Sequence, residues 1–367
     1  MKWKTQLLNL KAYQPGRTID EVKRQFGLEN IVKLASNENP FGSSPKAIEA
    51  LKKVDGSFAL YPDGYATNLR QALADFLKVK QDELVLGNGS DELILMISRA
   101  LLKPGVNTVM ASHTFGQYKH NAIVDGAEVR EVPLTEEACH DLPAMLNAID
   151  ENTSVVWLCS PNNPTGTYTT EKELVDFLNK VPEEALVVLD EAYYEYVVAE
   201  DYYDAIALTK QYKNLIVLRT FSKIYGLASF RVGYGVANAE LIQTLEPIRE
   251  PFNVNTLGQI ATEEALKDQE FVQTCKEKNR QGLEQLYSFC KENNLSYYPS
   301  QTNFVLVDFK IDGNEVFQYL MSKGYIVRSG VPLGFPTSVR ITIGSKEENE
   351  GLIKVMEQFL TEKKVAN

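Results

Sequence analysis

A lysine, a serine and an arginine that could act together stand in the segment of residues 221–235. The segment follows the apolar run LIVLRT, which is typical of a buried strand in a parallel sheet. Lys223 comes just after this run, Ser222 places a hydroxyl beside it, and Arg231 follows eight residues later. A desolvated lysine loses its proton readily and attacks a carbonyl to form a Schiff base, and arginine with serine can hold a phosphate. These residues fit a phosphorylated aldehyde cofactor such as pyridoxal phosphate, although a solvated surface lysine is the simpler alternative.

A second pattern suited to phosphate is GNGSDE, residues 87–92, at the end of a short apolar run. Gly89 lets the backbone approach a ligand closely, and Ser90 and Asp91 open an apolar helix whose first N–H groups can bind an anion. No GK[ST] follows, and Glu92 stands where a dinucleotide fingerprint needs its third glycine. The pattern therefore predicts a phosphate cup of another kind, or an ordinary strand–turn–helix connection.

Three further strand ends carry side chains that a flat cofactor could use. Phe115 and Tyr118 follow the run NTVMAS, where an aromatic ring could lie against the cofactor or simply pack in the core. Two asparagines stand in the rigid turn SPNNPTGT, residues 160–167, which is also ordinary loop chemistry. Asp190 ends the run ALVVLD, with Tyr193 three residues on. A carboxylate in so apolar a place needs a cationic partner. A pyridinium nitrogen would be one, whereas a helix N-cap is the alternative role of Asp190.

Apolar runs that alternate with amphipathic helical patterns place these side chains at strand ends. They predict an α/β fold: a large, mostly parallel sheet with helices on both faces, plus a smaller α+β domain. We expect an N-terminal arm over residues 1–30, which contributes to the small domain or a dimer. The large domain is expected over residues 31–260 and the small C-terminal domain over residues 261–367.

Local signals add detail to this outline. Thr170 and Glu173 have the spacing of a capping box at a helix start. In the short strands of the small domain, Arg328 and Arg340 are candidates for binding an anionic substrate group. Each of them could equally be a surface arginine.

Composition and charge narrow the classes of protein. The 367 residues are 44% hydrophobic and 24% charged, as in an ordinary globular protein. The net charge of −11 argues against nucleic acid as a partner, although paired arginines could still attract anionic substrates. No apolar run has the length of a membrane span, no signal peptide is visible, and the four cysteines lack CxxC spacing, so we expect a cytoplasmic protein. His113, His120 and His140 lack metal-binding spacing, so we expect no metal.

Segments spread from residue 34 to residue 344 carry a family resemblance. They are LASNENPFG, LYPDGYATNLR, GNGSDE, SPNNPTGT, LDEAYYEY, RTFSKIYGLASFRVGYG and VRITIG. Together they resemble the fold-type-I pyridoxal-phosphate aminotransferases and, within them, the histidinol-phosphate aminotransferase subfamily. The resemblance covers nearly the whole chain. It implies the fold-type-I architecture, pyridoxal 5'-phosphate as the cofactor and a homodimer.

The resemblance also implies roles for single residues around the cofactor. Lys223 matches the Schiff-base lysine that shuttles a proton, and Asp190 matches the partner of the pyridine nitrogen. Asn163 and Tyr193 match the groups that hydrogen-bond the ring oxygen, and Phe115 matches the stacking ring, where many relatives have tyrosine. The phosphate cup would consist of Gly89, Ser90, Asp91, Ser222 and Arg231.

A further set of implied roles concerns the substrate and the second subunit. Tyr61 matches a tyrosine that reaches the phosphate of the cofactor in the other subunit of a homodimer. Arg340 resembles the arginine that receives the carboxylate of glutamate. Arg328, Tyr13 and Asn37 resemble the lining that receives the substrate phosphate and imidazole.

The implied reaction converts imidazole-acetol phosphate and L-glutamate into L-histidinol phosphate and 2-oxoglutarate by a ping-pong scheme. Two related activities remain open, because both use the same lysine and the same ring. One is transamination of tyrosine and phenylalanine, and the other is decarboxylation of a phosphorylated amino acid. A cofactor-binding regulator without enzymatic activity is disfavoured, because no helix-turn-helix pattern precedes the fold and the chain is acidic.

Overall fold

The computed structural model describes residues 1–10, 16–56 and 58–366. Tyr13 lies outside the described residues. The strands are β1 (Val32–Lys33), β2 (Leu84–Gly87), β3 (Asn107–Ala111), β4 (Glu128–Val132), β5 (Thr153–Cys159), β6 (Leu186–Asp190), β7 (Leu215–Thr220), β8 (Gly233–Val236), β9 (Ser296–Tyr297), β10 (Phe304–Asp308), β11 (Tyr325–Ile326), β12 (Arg328–Ser329) and β13 (Ser338–Thr342). The α-helices are α1 (Ile19–Phe26), α2 (Pro45–Lys52), α3 (Thr67–Leu77), α4 (Ser90–Leu101), α5 (Gln117–Asp125), α6 (Leu142–Asn147), α7 (Glu171–Leu178), α8 (Ala205–Leu208), α9 (Ala239–Leu245), α10 (Thr256–Leu266), α11 (Gln269–Glu292), α12 (Gly313–Ser322) and α13 (Lys346–Ala366). Short 3₁₀ turns occupy Thr5–Asn9, Gln81–Glu83, Tyr194–Tyr196, Ala228–Phe230, Glu246–Ile248 and Val331–Leu333.

In the described part of the chain, a seven-stranded sheet of order β2-β8-β7-β6-β5-β3-β4 is the centre of the larger of two units. Strands β7, β6, β5, β3 and β4 pair in parallel, whereas β8 runs antiparallel to both of its neighbours. The chain leaves β3 toward one edge of the sheet and continues from β5 toward the other. Ligands of open α/β sheets bind beyond the carboxyl ends of the strands at such a reversal. The expected α/β architecture is confirmed.

Each central strand presents alternate side chains to two separate layers of the core. On β6, Val187 and Leu189 belong to one buried cluster, and Leu186 and Val188 belong to the other. Helices α3, α7 and α10 contribute to the first cluster, and α4, α5 and α9 contribute to the second. The strands are therefore buried on both faces, which explains why their sequences are continuous apolar runs.

The register of the parallel strands brings the expected site residues to one edge of the sheet. Cys159 pairs with Asp190, and Asp190 pairs with Leu218, so β5, β6 and β7 end side by side. Asn163 follows β5 and Lys223 follows β7 within a few residues. The loops after these strands must therefore meet above the same edge.

A four-stranded antiparallel sheet of order β12-β13-β10-β9 is the centre of the smaller unit in the described residues. Helices α11, α12 and α13 cover it through a buried cluster that includes Leu283, Val316 and Leu352. Strand β1 pairs in parallel with β11, so the chain contacts the smaller unit before it enters the large sheet. Helix α10 spans residue 260 and buries Ala261 in the core of the large sheet. The domain boundaries at residues 30 and 260 stay a prediction.

Two features are absent from the described ranges, a membrane-spanning helix and a metal-binding cluster. Within residues 1–10, 16–56 and 58–366, no helix is both long and apolar enough to cross a membrane. The same residues contain no cluster of three or more His, Cys, Asp or Glu side chains that could hold a metal ion.

The loop that carries Lys223 is held directly against the backbone near Gly42. Gly226 has a left-handed backbone with φ of +68°. Its N–H donates to the Lys223 carbonyl at 2.9 Å, and Ser43 Oγ donates to the Gly226 carbonyl at 2.6 Å. A Cβ at position 226 would overlap the Gly42 carbonyl oxygen. Close backbone contact therefore sets the position of the lysine loop.

We expect Gly226→Ala to lower the free energy of unfolding by about 2–5 kcal/mol, because left-handed strain and overlap add. Gly105→Ala is the matched control: its φ is +94°, but nothing lies within 4 Å of a Cβ there. In the control, the free energy of unfolding should fall only by the contribution of backbone strain, about 1–2 kcal/mol. Urea denaturation of both variants measures the difference, and equal losses would contradict the close contact.

Candidate active site

One cavity of ≈ 430 Å³ gathers most of the residues that the sequence predicted for the site. It opens at the carboxyl edge of the large sheet, between that sheet and the smaller unit. The predicted residues that line it are Asn37, Ser90, Asp91, Phe115, Asn163, Asp190, Tyr193, Ser222, Lys223, Arg231, Arg328 and Arg340. Their convergence is a geometric finding, and the role of each residue stays a prediction.

The amine of Lys223 is prepared for nucleophilic chemistry by its surroundings. Burial lowers the pKa of Lys223 from its ordinary 10.5 to about 8, and the positive charge of Arg340 acts in the same direction. The Lys223 Nζ atom lies 5.6 Å from the centroid of the Tyr193 ring. The neutral amine, which is the form that attacks a carbonyl, is therefore available about two pH units lower than for an exposed lysine.

The carboxylate of Asp190 is buried, with 3% of the residue exposed, yet it reaches the cavity wall. The Tyr118 hydroxyl donates to its Oδ2 at 2.6 Å, and the Ala192 N–H donates to its Oδ1 at 3.1 Å. Burial raises the pKa of Asp190 to about 6, although these two hydrogen bonds oppose the rise. A cationic ring nitrogen in the cavity would favour the charged carboxylate.

The start of α4 and the Arg231 side chain form a site that fits a phosphate. Gly89 precedes the helix with φ of +79°, and α4 lacks a side-chain cap at its N-terminus. A Cβ on Gly89 would lie 2.8 Å from Arg231 Nη2, so a larger residue here would push the guanidinium aside as well as strain the backbone. Arg231 Nη1 donates to Ser222 Oγ at 3.3 Å, and its Nη2 lies 3.3 Å from Asp91 Oδ2. Hydroxyls, backbone N–H groups and a guanidinium therefore surround one small space, as binding of a phosphate monoester requires.

Three hydrogen bonds join the smaller unit, the segment after β1 and this edge of the large sheet. Arg340 Nη1 donates to Asn163 Oδ1 at 2.6 Å, and its Nη2 donates to the Ala35 carbonyl at 2.7 Å. Asn37 Nδ2 donates to the Tyr193 hydroxyl at 2.9 Å. Burial raises the pKa of the Tyr193 hydroxyl above its usual range, so the phenol stays protonated and can donate to a ligand.

The two adjacent asparagines of the turn after β5 have different surroundings. Asn163 lines the cavity, whereas Asn162 is buried behind it. Asn162 Nδ2 donates to the His113 carbonyl at 3.1 Å, and its Oδ1 accepts from Thr114 Oγ1 at 2.8 Å. His140 Nε2 lies 3.3 Å from the same oxygen, and burial lowers the pKa of His140 to about 4. Asn162 therefore fastens the turn, and Asn163 faces the ligand space.

Tyr61 lies outside the cavity, on the surface of the large domain. It is 80% exposed, and its ring stacks on Phe252 with the centroids 4.6 Å apart. Phe58, Leu60 and Tyr65 beside it in sequence are 69%, 76% and 73% exposed. We call these five residues the aromatic patch. A group of large apolar side chains exposed together is typical of an interface.

Several cavity residues had no role in the sequence analysis. They include Cys159, Gln117, His120, Pro332 and Leu333. Gln117 and His120 lie on the first turn of α5 directly after Phe115, so their proximity to the predicted stacking ring was a usable signal. Pro332 and Leu333 carried no comparable signal, because only the docking of the smaller unit brings them to the cavity.

The fold and the site together define a pyridoxal-phosphate-dependent transferase. Residues 29–356 match the family model described as aminotransferase class I and II, and the chain belongs to that family.

Proteins similar to this chain agree with this class. The chain is 59% identical over 365 residues to a histidinol-phosphate aminotransferase of Geobacillus sp. (strain WCH70), covering 100% of both chains. It is 58% identical over 360 residues to the histidinol-phosphate aminotransferase of Bacillus subtilis (strain 168), covering 98% of this chain and 100% of that one. The crystal structure of histidinol-phosphate aminotransferase from Sinorhizobium meliloti in complex with pyridoxal-5'-phosphate has a TM-score of 0.89 at 28% identity, covering 98% of each chain.

We expect labelling of Lys223 in the cofactor-free protein to rise roughly tenfold per pH unit and to level above pH 8, because only the neutral amine attacks an aldehyde. The protein is treated with a small aldehyde at each pH, and cyanoborohydride makes the adduct permanent. Mass spectrometry then measures how much of Lys223 is labelled. Lys172 is the internal control, since its bond to Asp176 raises its pKa above the ordinary 10.5. A Lys223 profile that keeps rising to pH 10, as for Lys172, would contradict the lowered pKa.

Proposed function

We propose that the chain is a pyridoxal-phosphate-dependent histidinol-phosphate aminotransferase. It transfers the amino group of L-glutamate to imidazole-acetol phosphate and releases L-histidinol phosphate and 2-oxoglutarate, a step of histidine biosynthesis. The observation that carries the proposal is one cavity in which a phosphate cup, a buried carboxylate, a lysine with lowered pKa and two arginines converge. The names of the relatives supply the substrate.

Residues at the carboxyl edge of the large sheet would hold the cofactor. Arg231, Ser90 and Ser222 would hold its phosphate, together with the N–H groups at the start of α4. Asp190 would pair with its ring nitrogen, and Phe115 would lie against its ring. The Asn163 amide and the Tyr193 hydroxyl would donate to its ring oxygen. When bound, the cofactor supplies an aldehyde that exchanges amino groups and a ring that withdraws electrons from the substrate α-carbon.

Lys223 supplies the proton transfer of the reaction. With the substrate bound, the Lys223 amine would act in the cavity as a base. A pKa of about 8 lets this amine both accept a proton from the substrate and return it near neutral pH. Burial keeps the pKa of Lys223 low, and the charges of Arg340 and Arg231 add to this effect because they oppose a further positive charge in the cavity.

The arginines of the smaller unit would recognise the two substrates in turn. Arg340 is held by Asn163 and by the Ala35 carbonyl, in a position to receive the carboxylate of glutamate. Arg328 lines the same cavity and, with Asn37, would receive the phosphate and imidazole of the other substrate. Tyr13 belongs to this proposal from the sequence alone.

We expect the cofactor-loaded protein to aminate its cofactor when L-histidinol phosphate is added without a keto acid. The absorbance band of the bound cofactor should change to that of the aminated form, at a lower concentration than phenylalanine or tyrosine requires. Lys223→Ala should slow this change by about 10³-fold or more, since it loses the transferring base. Lys172→Ala, on an exposed helix face, is the control that should react like the unchanged protein.

The same experiment separates the related activities. A change with phenylalanine or tyrosine but none with histidinol phosphate would make the chain an aromatic aminotransferase. Release of carbon dioxide from a phosphorylated amino acid would make it a decarboxylase. Full activity of Lys223→Ala would refute the role of the lysine in any of them.

A homodimer belongs to the proposal, with the aromatic patch as part of the contact between subunits. A second copy is the occupant we favour, because the patch leaves Tyr61 exposed although its predicted ligand is a cofactor phosphate. Stacking on Phe252 holds the Tyr61 ring on this surface, from which it would reach the cavity of the other subunit. We further propose a cytoplasmic enzyme, which agrees with four free cysteines.

We expect hybrid dimers to regain activity that each parent lacks. Tyr61→Ala weakens cofactor binding and Lys223→Ala removes the base, but a hybrid holds one site with both residues intact. An equal mixture of the two variants is refolded together at limiting cofactor, and about half of the dimers should then be hybrids. Each hybrid has one complete site out of two, so the mixture should recover about a quarter of the activity of the unchanged protein. A mixture no more active than its parents would place Tyr61 in its own subunit's site or in none.

A further inference from the structure

Tyr118 is the buried residue whose hydroxyl contacts the Asp190 carboxylate. Its side chain is 0% exposed and lies on the first turn of α5, behind the cavity wall. The 2.6 Å hydrogen bond to Asp190 Oδ2 joins α5 to the end of β6, across 72 positions of sequence. The bond is short, as expected for a hydroxyl that donates to a charged oxygen.

The ring of Tyr118 is fixed from behind by Trp157. The two rings stack with centroids 4.8 Å apart and planes 10° from parallel. Trp157 Nε1 donates to Thr108 Oγ1 at 2.9 Å, and Thr108 Oγ1 donates to the Val155 carbonyl at 2.7 Å. The hydroxyl that meets Asp190 is therefore anchored through a stacked ring to strands β3 and β5.

The same ring also supports Phe115, which the sequence predicted to lie against the cofactor. Phe115 packs edge-on against Tyr118 with centroids 5.6 Å apart and planes 81° from each other. One buried tyrosine thus contacts the carboxylate beneath the ligand space and the aromatic ring beside it. Burial, and then the charge of Asp190, raise the pKa of Tyr118 well above its usual range, so it remains a donor.

We propose that Tyr118 is a positioning residue for the cofactor: it holds the Asp190 carboxylate charged and oriented, and it braces Phe115. The inference rests on the proposed role of Asp190. Among the influences on the Asp190 pKa, burial is the largest, and the hydrogen bond from Tyr118 is the largest that opposes it. Without the hydroxyl, the carboxyl would hold its proton more tightly and compete with the ring nitrogen for it.

The test uses the binding of pyridoxal phosphate to the cofactor-free full chain, so it does not depend on turnover. Tyr118→Phe should weaken binding roughly ten- to hundredfold, the effect of one hydrogen bond to a charged group. Asp190→Asn should weaken it at least as much. Adding Tyr118→Phe to Asp190→Asn should change binding by less than about twofold, because the tyrosine acts through the carboxylate.

A second readout reports the ring nitrogen itself. With pyridoxal phosphate labelled with ¹⁵N in the ring, the bound nitrogen should have the chemical shift of a protonated nitrogen in the unchanged protein. In Tyr118→Phe the shift should move toward that of an unprotonated nitrogen. Tyr202→Phe is the control: its hydroxyl lies 2.6 Å from the Ser160 carbonyl and 3.1 Å from another buried carboxylate, Glu191, and neither residue lines the cavity. Both the ¹⁵N shift and the affinity should remain unchanged there.

The outcomes separate the two proposals. Unchanged binding in Asp190→Asn would refute the role of Asp190, and this inference with it. Weak binding in Asp190→Asn with unchanged binding and ¹⁵N shift in Tyr118→Phe would refute the inference alone. If Tyr118→Phe fails to melt cooperatively, Trp157→Phe serves instead, since it keeps the hydroxyl but reduces the surface on which Tyr118 stacks. In Trp157→Phe the ¹⁵N shift should likewise move toward that of an unprotonated nitrogen, and an unchanged shift would overturn the inference.

Discussion

The carboxylate of Asp190 ends a strand of otherwise apolar, fully buried side chains, and much of the site is arranged around the cost of burying it. Water would normally stabilise this charge. Burial removes that water and raises the pKa of Asp190 to about 6. The Tyr118 hydroxyl and the Ala192 N–H replace part of that water. Lys223 has the opposite problem in the same cavity, because burial lowers its pKa to about 8. The positive charge of Lys223 lowers the pKa of Asp190, and a positively charged cofactor ring would lower it further.

The cavity lies where two separately packed units meet, and the units make different contributions. The large sheet supplies the lysine, the carboxylate and the phosphate cup from the ends of adjacent strands, so their spacing follows from strand register. The smaller unit supplies Arg340 and Arg328 from its own sheet. The Arg340–Asn163 hydrogen bond joins the two sets. The groups proposed for the chemistry thus stand on the large sheet, while the groups that would select the substrate stand on a part with a separate core.

The accuracy of the sequence-based prediction varied with the range of the interaction. Short-range signals were reliable, because their partners are a few residues apart: Thr170 and Glu173 form the capping box that their spacing predicted. Strand ends were also readable, since polar residues after buried apolar runs stand out. The hydrogen bond of Tyr118 could not be predicted from the sequence, because a core aromatic residue and a tyrosine bonded to a carboxylate have the same sequence pattern. The exposure of Tyr61 was not readable from periodicity either, and the family resemblance implied only its role in the other subunit's site.

By itself, the sequence determined the α/β class, the order of strands and loops, and the residue types available at each strand end. Apolar periodicity is a local property, so these features need no knowledge of the whole fold. Only the tertiary structure decided which strand ends are neighbours, that Asn163 and not Asn162 faces the cavity, and that Arg340 reaches it from the smaller unit. It also decided the lowered pKa of Lys223. Burial and the charges of residues far apart in sequence produce that shift, and they exist only once the chain has folded.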